Sequence, residues 1–320
     1  MPITINYFRE VMQMKLVAGI DGGGTSTRAI LINEKGETLA IGRSGSSSID
    51  TVSRDITKKH IGEAITNAFK EANINERELQ CLYVGLGGVA NNEDKNEVQE
   101  LLMNIEGIKI NKVIVENDTR VALAGGLKGK NGLAFIVGTG SVCFGIDDYG
   151  NQWKSGGWGY KIDDPGSGYY LGREAIAYTA RAYDGRAKKS KLSEEVFEKL
   201  GLKEINDISR VLYAEDFTRT KIASFAGVVL HHAEEGVEEA LEIVNAGCKE
   251  LALMAKAVES KLKFNGEIVI TAIGGIVENS KLYRETLKKN VEEMVPNARF
   301  IEPLTTAIEG SGIMALQNLK

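Results

Sequence analysis

The sequence predicts an α/β protein of two domains, and three observations support this fold class. The chain has 320 residues, which is about twice the ~150 residues of an ordinary domain. Short apolar runs of strand type alternate with helical patterns along most of its length. Glycine is abundant, at 36 residues against 4 prolines, and glycine turns follow corresponding strands in the two halves. This order indicates a duplicated β-β-β-α-β-α unit.

Charge and composition restrict the class of function. The 39 Lys and Arg residues against 44 Asp and Glu residues give 39 − 44 = −5, which argues against a nucleic-acid or anionic-membrane partner. No apolar run approaches the ~18 residues of a membrane-spanning helix, and the N-terminus lacks the apolar core of a signal peptide. We therefore expect a cytoplasmic protein with no nucleic-acid or membrane partner, and an extension ahead of Met14.

The cysteines and histidines argue against several kinds of metal and redox site. Cys81, Cys143 and Cys248 are far apart and form no Cys-x-x-Cys pair, so the sequence predicts neither a zinc site nor a disulfide framework. The chain has three histidines, which leaves little for a histidine-built metal site or a Ser-His-Asp triad.

The first half is predicted to begin with a three-stranded antiparallel meander. Lys15–Asp21, Thr27–Asn33 and Thr38–Gly42 are β-like runs. Large apolar residues spaced by four or five then predict a helix capped by Asp50 or Thr51. The remaining predicted elements are strand Cys81–Gly85, helix Asn92–Met103, strand Val113–Glu116 and a helix over 119–127.

The second half is predicted to repeat this order with a helical insertion. The final helix is expected to pack back toward the first domain. The predicted elements are strands Leu133–Val137, Val142–Ile146 and Gln152–Lys154, a helix over 169–182, an insertion over 193–263, strand Ile268–Ile273, helix Lys281–Met294, strand Arg299–Ile301 and a helix over 305–319.

The glycine turn at Asp21–Thr25 lies between two strands, whereas Rossmann and Walker loops lead from a strand into a helix. Such a hairpin can present backbone N–H groups to phosphate oxygens, with Thr25 and Thr27 adding hydroxyl donors. Taken alone, a plain hairpin turn is the simpler interpretation. Gly138–Ser141 follows the matching strand of the second half, and two such turns suit a nucleotide held in a cleft between the domains.

Asp118 ends an apolar strand and starts a helix, and this position has two interpretations. Asp is a preferred N-cap residue. The carboxyl ends of strands are also where α/β proteins bind ligands, and a carboxylate there can accept the proton of a substrate hydroxyl. Local features leave both roles open.

Two further stretches are rich in glycine. Gly156–Gly159 and Asp163–Gly168 form a loop whose polar groups could bind a hydroxyl-rich ligand, although a surface loop would look similar; Trp158 favours packing or ligand contact. Gly274 and Gly275 follow a strand and could let a flat base approach the backbone, but a strand-to-helix turn uses glycine in any case.

Taken in order, the segments DGGGT, END before a helix, VGTGS, GGWG, DDPGSG and IGG resemble N-acetylglucosamine kinase and its BadF/BadG/BcrA/BcrD ATPase family, within the actin, Hsp70 and sugar-kinase superfamily. The resemblance extends from Val17 to the C-terminus. It implies two ribonuclease-H-like (actin-like ATPase) domains around an interdomain cleft, at 14–120 and 121–320. It also implies transfer of the γ-phosphoryl group of ATP to an amino sugar: N-acetylglucosamine, N-acetylmuramic acid or glucosamine.

The resemblance also implies roles for individual residues. Asp118 falls on the catalytic carboxylate, and Asp21 on the residue that holds Mg²⁺ through water. Nucleotide-binding positions fall on Gly22, Gly23, Gly24, Thr25, Gly138, Thr139, Gly140, Ser141, Ala226, Gly274 and Gly275. Sugar-binding positions fall on Ser48, Asp118, Gly157, Trp158, Gly159 and Asp164. Ser48, or next Ser47, replaces a family asparagine, so the choice of sugar stays open. A homodimer is the further partner to consider.

The alternative function belongs to another branch of the same family, the ATP-driven activators of acyl-CoA dehydratases and reductases. These proteins pass an electron through an iron–sulfur cluster shared by two subunits. Their second phosphate loop resembles IGGQD, whereas this chain has VGTGS, and none of its three cysteines falls at a cluster position. The sequence therefore favours the kinase.

Overall fold

The structure is a computed structural model that describes residues 14–319, and these residues form two compact units. The first unit contains the described residues up to Lys130 and those from Pro303, and the second contains Asn131–Glu302. The predicted extension ahead of Met14 lies outside the described residues. The predicted domain boundary lies between 120 and 121, whereas the first unit extends to Lys130. Residues from Pro303 onward, which the prediction places in the second domain, belong to the first unit.

The helices and strands follow the predicted order closely. The strands are β1 (Leu16–Gly22), β2 (Thr27–Asn33), β3 (Thr38–Ser44), β4 (Glu78–Leu79), β5 (Cys81–Leu86), β6 (Lys109–Ile110), β7 (Val113–Asn117), β8 (Gly132–Val137), β9 (Ser141–Ile146), β10 (Gln152–Gly156), β11 (Ile268–Ile273) and β12 (Ala298–Ile301). The helices are α1 (Arg54–Glu71), α2 (Asn92–Met103), α3 (Asp118–Gly126), α4 (Gly168–Tyr183), α5 (Lys191–Lys199), α6 (Ile208–Leu212), α7 (Arg219–Ala223), α8 (Ala226–Glu234), α9 (Glu238–Glu259), α10 (Gly275–Asn279), α11 (Lys281–Met294) and α12 (Ala307–Gln317).

The first unit is built on a five-stranded sheet in the order β3-β2-β1-β5-β7. Strands β1 to β3 are antiparallel, and β5 and β7 run parallel to β1. Strand β1 is buried on both faces, because its side chains point alternately to the two faces of the sheet and helices cover each face. Ala18 and Ile20 contribute to the core with α1 and α2, and Val17 contributes to a second core with α3 and α12. A strand covered on both faces is apolar throughout, which explains its unbroken apolar run.

The last helix belongs to the first unit because it packs on the central strand. A Cβ at Gly19 of β1 would lie 2.3 Å from the Oγ of Ser311 in α12, so the strand and the helix meet at a glycine. Thr305 also donates its hydroxyl to the Gly125 carbonyl at 2.8 Å. This close contact completes the second layer over the sheet.

The second unit repeats the sheet of the first. Its order is β10-β9-β8-β11-β12, with β8 to β10 antiparallel and β11 and β12 parallel to β8. The duplication of topology is therefore confirmed. Helices α5 to α9 form the predicted insertion, and α9 contributes Val244 and Leu251 to a core shared with Phe135 of β8 and Leu171 of α4.

Two helix starts differ from the prediction. Helix α1 is capped by Ser53, whose Oγ accepts from the Ile56 N–H, and not by Asp50 or Thr51. Helix α3 is capped by Asn117, whose Oδ1 accepts from the Thr119 N–H at 3.1 Å. Strands β4 and β6, which the sequence analysis missed, pair over two residues. Within residues 14–319, every helix is too short or too polar to cross a lipid bilayer.

Candidate functional site

The first glycine turn joins β1 to β2 and is held by the loop after β3. The Gly23 carbonyl accepts from the N–H groups of Ser47 and Ser48 at 3.1 and 3.2 Å. A Cβ at Gly22 would lie 2.5 Å from the Ser47 Oγ, so this loop fits only against glycine. Gly24 and Thr25 are exposed. The tip of the turn is therefore the part that can meet a ligand.

Thr27 has a structural role, which corrects its prediction as a ligand donor. Its side chain is fully buried. The Oγ1 lies 2.6 Å from the Gly45 carbonyl oxygen and 2.7 Å from the Ser47 Oγ. Of the two threonines of this turn, Thr25 alone is open to a ligand.

Asp118 is the first residue of α3, not its cap, because Asn117 holds the capping position. Burial raises the pKa of Asp118 to about 6, and the nearby Asp21 carboxylate acts in the same direction. The backbone N–H of Thr119 opposes this shift, and Asp50 adds to it more weakly. A carboxyl with this pKa is mostly ionised at neutral pH yet basic enough to take a proton.

Ser48 and Asp118 lie beside the same glycine. A Cβ at Gly87 would lie 3.0 Å from the Ser48 Oγ and 3.5 Å from the Asp118 Oδ2. The structure thus brings together two predicted sugar-binding residues that are far apart in sequence. Ser48 is also buried.

Asp21 at the end of β1 is the candidate magnesium ligand. One oxygen of its carboxylate accepts from Arg28. Residues 14–319 contain no group of three or more His, Cys, Asp or Glu side chains that could hold a metal ion. Mg²⁺ commonly uses one or two carboxylates together with substrate phosphates, so a single carboxylate beside a phosphate-type turn fits this metal better than an all-protein site would.

The second glycine turn joins β8 to β9 and is tied to the start of α4. The Gly138 carbonyl accepts from the Gly168 N–H at 2.8 Å, and the Thr139 carbonyl accepts from the Tyr169 N–H at 3.2 Å. The Thr139 side chain is exposed. Its hydroxyl is therefore placed on a rigid backbone and is open to solvent.

Asp164 lies under this second turn. It is 2% exposed, and its Oδ1 accepts from the Ser141 N–H at 3.1 Å while its Oδ2 accepts from Arg219 at 2.8 Å. Burial raises the pKa of Asp164, and the Ser141 N–H and the Arg219 guanidinium oppose the rise. The carboxylate thus has protein partners on both oxygens, and its predicted sugar contact stays a prediction.

Ser141 is also committed within the protein. Its N–H is held by Asp164, and its hydroxyl donates to the Pro165 carbonyl at 2.7 Å. Ser141 stays a predicted nucleotide-binding position, although both of its hydrogen-bond donors are used in bracing the turn. Arg219, which completes this brace, was missed by the sequence analysis; a lone arginine in the insertion gave no signal there.

The loop after β10 displays an aromatic ring. Trp158 is 64% exposed, and the Lys154 ammonium lies 4.6 Å from the centre of its ring. Gly157 and Gly159 on either side have φ angles of 72° and 91°, which L side chains rarely adopt. The predicted sugar-contacting segment is therefore a turn that needs these glycines and leaves the indole open.

The glycine pair after β11 lies beside the second turn. A Cβ at Gly274 would lie 2.5 Å from the Val137 carbonyl oxygen at the end of β8, and the Gly274 N–H donates to Glu278 at 2.9 Å. Gly275 is exposed. The structure therefore brings the predicted adenosine-binding pair to the end of the sheet that carries Gly138–Gly140.

Ala226 differs from the other predicted nucleotide-binding residues because it is buried. It is the first residue of α8, and its methyl group lies in the core of the second unit. Contact with a nucleotide would have to come from its backbone or from the neighbouring Gly227, which is exposed.

Comparison with known proteins places the chain in one family. Residues 18–315 match the BadF/BadG/BcrA/BcrD ATPase family. The chain is 30% identical to N-acetylmuramic acid/N-acetylglucosamine kinase of Clostridium acetobutylicum, over 94% of this chain and 98% of that protein. It is 28% identical to N-acetyl-D-glucosamine kinase of Dictyostelium discoideum, over 97% of this chain and 100% of that protein.

A solved structure shares the fold. It is that of a candidate N-acetylglucosamine kinase from Chromobacterium violaceum, which superposes with a TM-score of 0.76 at 24% identity over 95% of this chain and 99% of that chain. The resemblance stated from the motifs is thus confirmed by the match over nearly the whole length. The chain belongs to the BadF/BadG/BcrA/BcrD ATPase family.

Proposed function

We propose that this protein is an ATP-dependent kinase that transfers the γ-phosphoryl group to a hydroxyl of an amino sugar. The relatives named above are kinases of N-acetylmuramic acid and N-acetylglucosamine. The observation that carries the proposal for this chain is the carboxyl of Asp118, which lies beside the same glycine as Ser48 and close enough to the Asp21 carboxylate for that charge to raise its pKa.

Asp118 is the proposed general base. It accepts the proton of the sugar hydroxyl as that oxygen attacks the γ-phosphorus, and the leaving group is ADP. A pKa of about 6 keeps the carboxyl ionised at neutral pH, with a basicity close to that pH as general-base catalysis requires. Below this pKa the carboxyl is protonated, so kcat/KM should fall as the pH falls through about 6.

The exposed tips of the two glycine turns are the proposed phosphate-binding groups. Thr25 and Thr139 each add a hydroxyl to the backbone N–H groups of a turn, and such fixed donors stabilise phosphoryl transfer without reorganising during the reaction. Mg²⁺ would be held at Asp21 and would neutralise charge on the phosphates. Ser48 and the Gly157–Gly159 turn are the proposed sugar contacts, with the exposed indole of Trp158 as an apolar surface for a sugar face.

The electron-transferring branch of the family is disfavoured by the cysteines. Cys81, Cys143 and Cys248 are all buried, and burial raises the pKa of each thiol. A cluster shared between two subunits needs thiolates at the surface, because the thiolate is the metal ligand. These side chains instead fill the hydrophobic cores of the two units.

The test is a coupled assay of ADP release with glucose, glucosamine, N-acetylglucosamine and N-acetylmuramic acid. We expect turnover with at least one amino sugar well above the rate without sugar, and a weaker response to glucose. ADP release that no sugar stimulates would refute the kinase. A cytoplasmic location, a homodimer and the lack of a nucleic-acid partner stay predictions.

A further inference from the structure

Arg219 is held at the second glycine turn by partners from the loop after β10. Its Nη2 lies 2.8 Å from the Oδ2 of Asp164, and its guanidinium carbon lies 5.3 Å from the centre of the Tyr160 ring. The Asp164 side chain is 3% exposed, whereas the Arg219 side chain is 35% exposed. A cation is therefore anchored at one end by a buried carboxylate and reaches solvent elsewhere.

The guanidinium rests directly on the turn. A Cβ at Gly140 would lie 2.4 Å from the Arg219 Nη2. The Asp164 carboxylate oxygens would both lie 2.9 Å from the same Cβ. A side chain at 140 would therefore displace the Arg219–Asp164 pair from the backbone that carries Thr139. The positive charge lies directly beside a turn proposed to bind phosphate.

The hydrogen bonds of Arg219 within the protein leave most of its donors unused. A guanidinium has five N–H donors, and among residues 14–319 one bond to Asp164 is formed. The Nε is buried and has no partner in this part of the chain. Desolvation offsets most of the attraction in a buried ion pair. A contribution to stability is therefore a weak explanation for the presence of the Arg219–Asp164 pair.

We propose that Arg219 is a further nucleotide-binding residue, whose guanidinium donates to the terminal phosphates of ATP while Asp164 holds it against the Gly138–Gly140 turn. This inference rests on the proposed kinase function. The planar fork of arginine suits phosphate oxygens better than a lysine ammonium does. Asp164 is then a positioning residue that acts through Arg219.

The decisive experiment measures the binding of ATP, ADP and AMP by calorimetry to the parent and to Arg219→Gln. A charge-assisted hydrogen bond to phosphate corresponds to about a 10- to 100-fold change in affinity. We expect ATP affinity to fall by about that factor, ADP affinity to fall less, and AMP affinity to stay unchanged. Lys221→Gln is the matched control, because Lys221 lies in the same helix and pairs with Asp216 at 3.1 Å; it should change none of the three.

Two further variants keep the test decisive. Arg219→Gln leaves the buried Asp164 carboxylate without its cation. The double variant Arg219→Gln with Asp164→Asn removes both charges, so it should fold normally. It should show the same loss of affinity, largest for ATP and absent for AMP. Arg219→Lys should recover part of the ATP affinity. Equal losses for ATP, ADP and AMP, or no loss in the folded double variant, would show that Arg219 only supports the fold. A parent that binds none of the three nucleotides would overturn the proposed function itself.

Discussion

The two glycine turns occupy the same place in the two repeated sheets and each lies near an aspartate–arginine pair, but they differ in the other charged groups and in which member of the pair meets the turn. Near the first turn, after β1, Asp21 is paired with Arg28, and the carboxylates of Asp21 and Asp50 both raise the pKa of Asp118. The second turn, after β8, carries the cation Arg219 on its backbone. Both turns expose a threonine at the tip.

Under the proposed function, the two copies of the duplicated unit supply different groups to one reaction. The first copy offers groups for proton transfer and for a cation, since carboxylates are bases and Mg²⁺ ligands. The second copy offers groups that hold anionic phosphate, since a guanidinium and backbone N–H groups are donors. The topology is shared, and the side chains next to each turn decide its chemistry.

The largest expected effect is the loss of kcat on substitution of Asp118, near the first turn. Asp118→Asn removes the proton acceptor, and general-base catalysis contributes about 10²- to 10⁴-fold. We expect kcat to fall by roughly this factor with similar KM values, because the interaction matters most in the transition state. Steady-state kinetics measure it. A variant that retains most of the parent kcat would contradict the role of Asp118 as base.

The same substitution should stabilise the protein at neutral pH. The pKa of Asp118 is about 6 in the folded state against 3.8 unfolded, so the folded state binds the extra proton between these values. The free energy of unfolding therefore falls as the pH rises from about 4 to about 6, by at most about 3 kcal/mol. Asp118→Asn lacks this loss. Urea unfolding should find it more stable than the parent at about pH 8 and nearly equal at about pH 4.

The matched control for this stability gain is Asp216→Asn, whose side chain is 78% exposed. We expect no pH-dependent difference there, because an exposed carboxylate is well solvated in both states. If Asp118→Asn were no more stable than the parent at any pH, the burial of an ionised Asp118 would be contradicted.

The third prediction tests whether both turns bind phosphate. Thr25→Val and Thr139→Val each remove one exposed hydroxyl, and we expect about a tenfold loss of ATP affinity for each, since hydrogen bonds to charged groups contribute about 1.5 kcal/mol or more. The double variant should lose about 100-fold if the two act independently. Calorimetry measures the affinities, and unchanged binding in the double variant would remove both hydroxyls from the nucleotide site.

The smallest expected effect is a difference in unfolding free energy between variants of Thr25 and Thr27. Thr27→Val removes a buried hydroxyl that bonds the loop after β3, and leaving its partners unsatisfied should cost about 1–2 kcal/mol of unfolding free energy. Thr25→Val should cost almost none because Thr25 is exposed. Thermal melts of the two variants give the comparison. Equal melting temperatures would mean that the Thr27 contacts contribute nothing to stability.

The sequence by itself determined the elements and their order. Strands β2 and β11 and helices α2 and α11 have the predicted bounds, because strand and helix periodicity and capping residues are local signals. It also placed both glycine turns and Asp118 correctly at strand ends, since a tight turn between two strands is marked in the sequence by glycine.

The tertiary structure alone decided which side chains are left for a ligand. Thr25 and Thr27 are two positions apart, yet one is exposed and the other buried, because Thr25 lies in the turn before β2, whereas Thr27 begins the strand and is covered by the loop after β3. Asp164 and Ser141 fit a ligand-binding pattern, but hydrogen bonds formed across 23 residues of chain engage them within the protein. Arg219 meets Gly140 only through folding of the insertion. Such long-range contacts leave no local pattern, so the brace of the second turn could be found only in three dimensions.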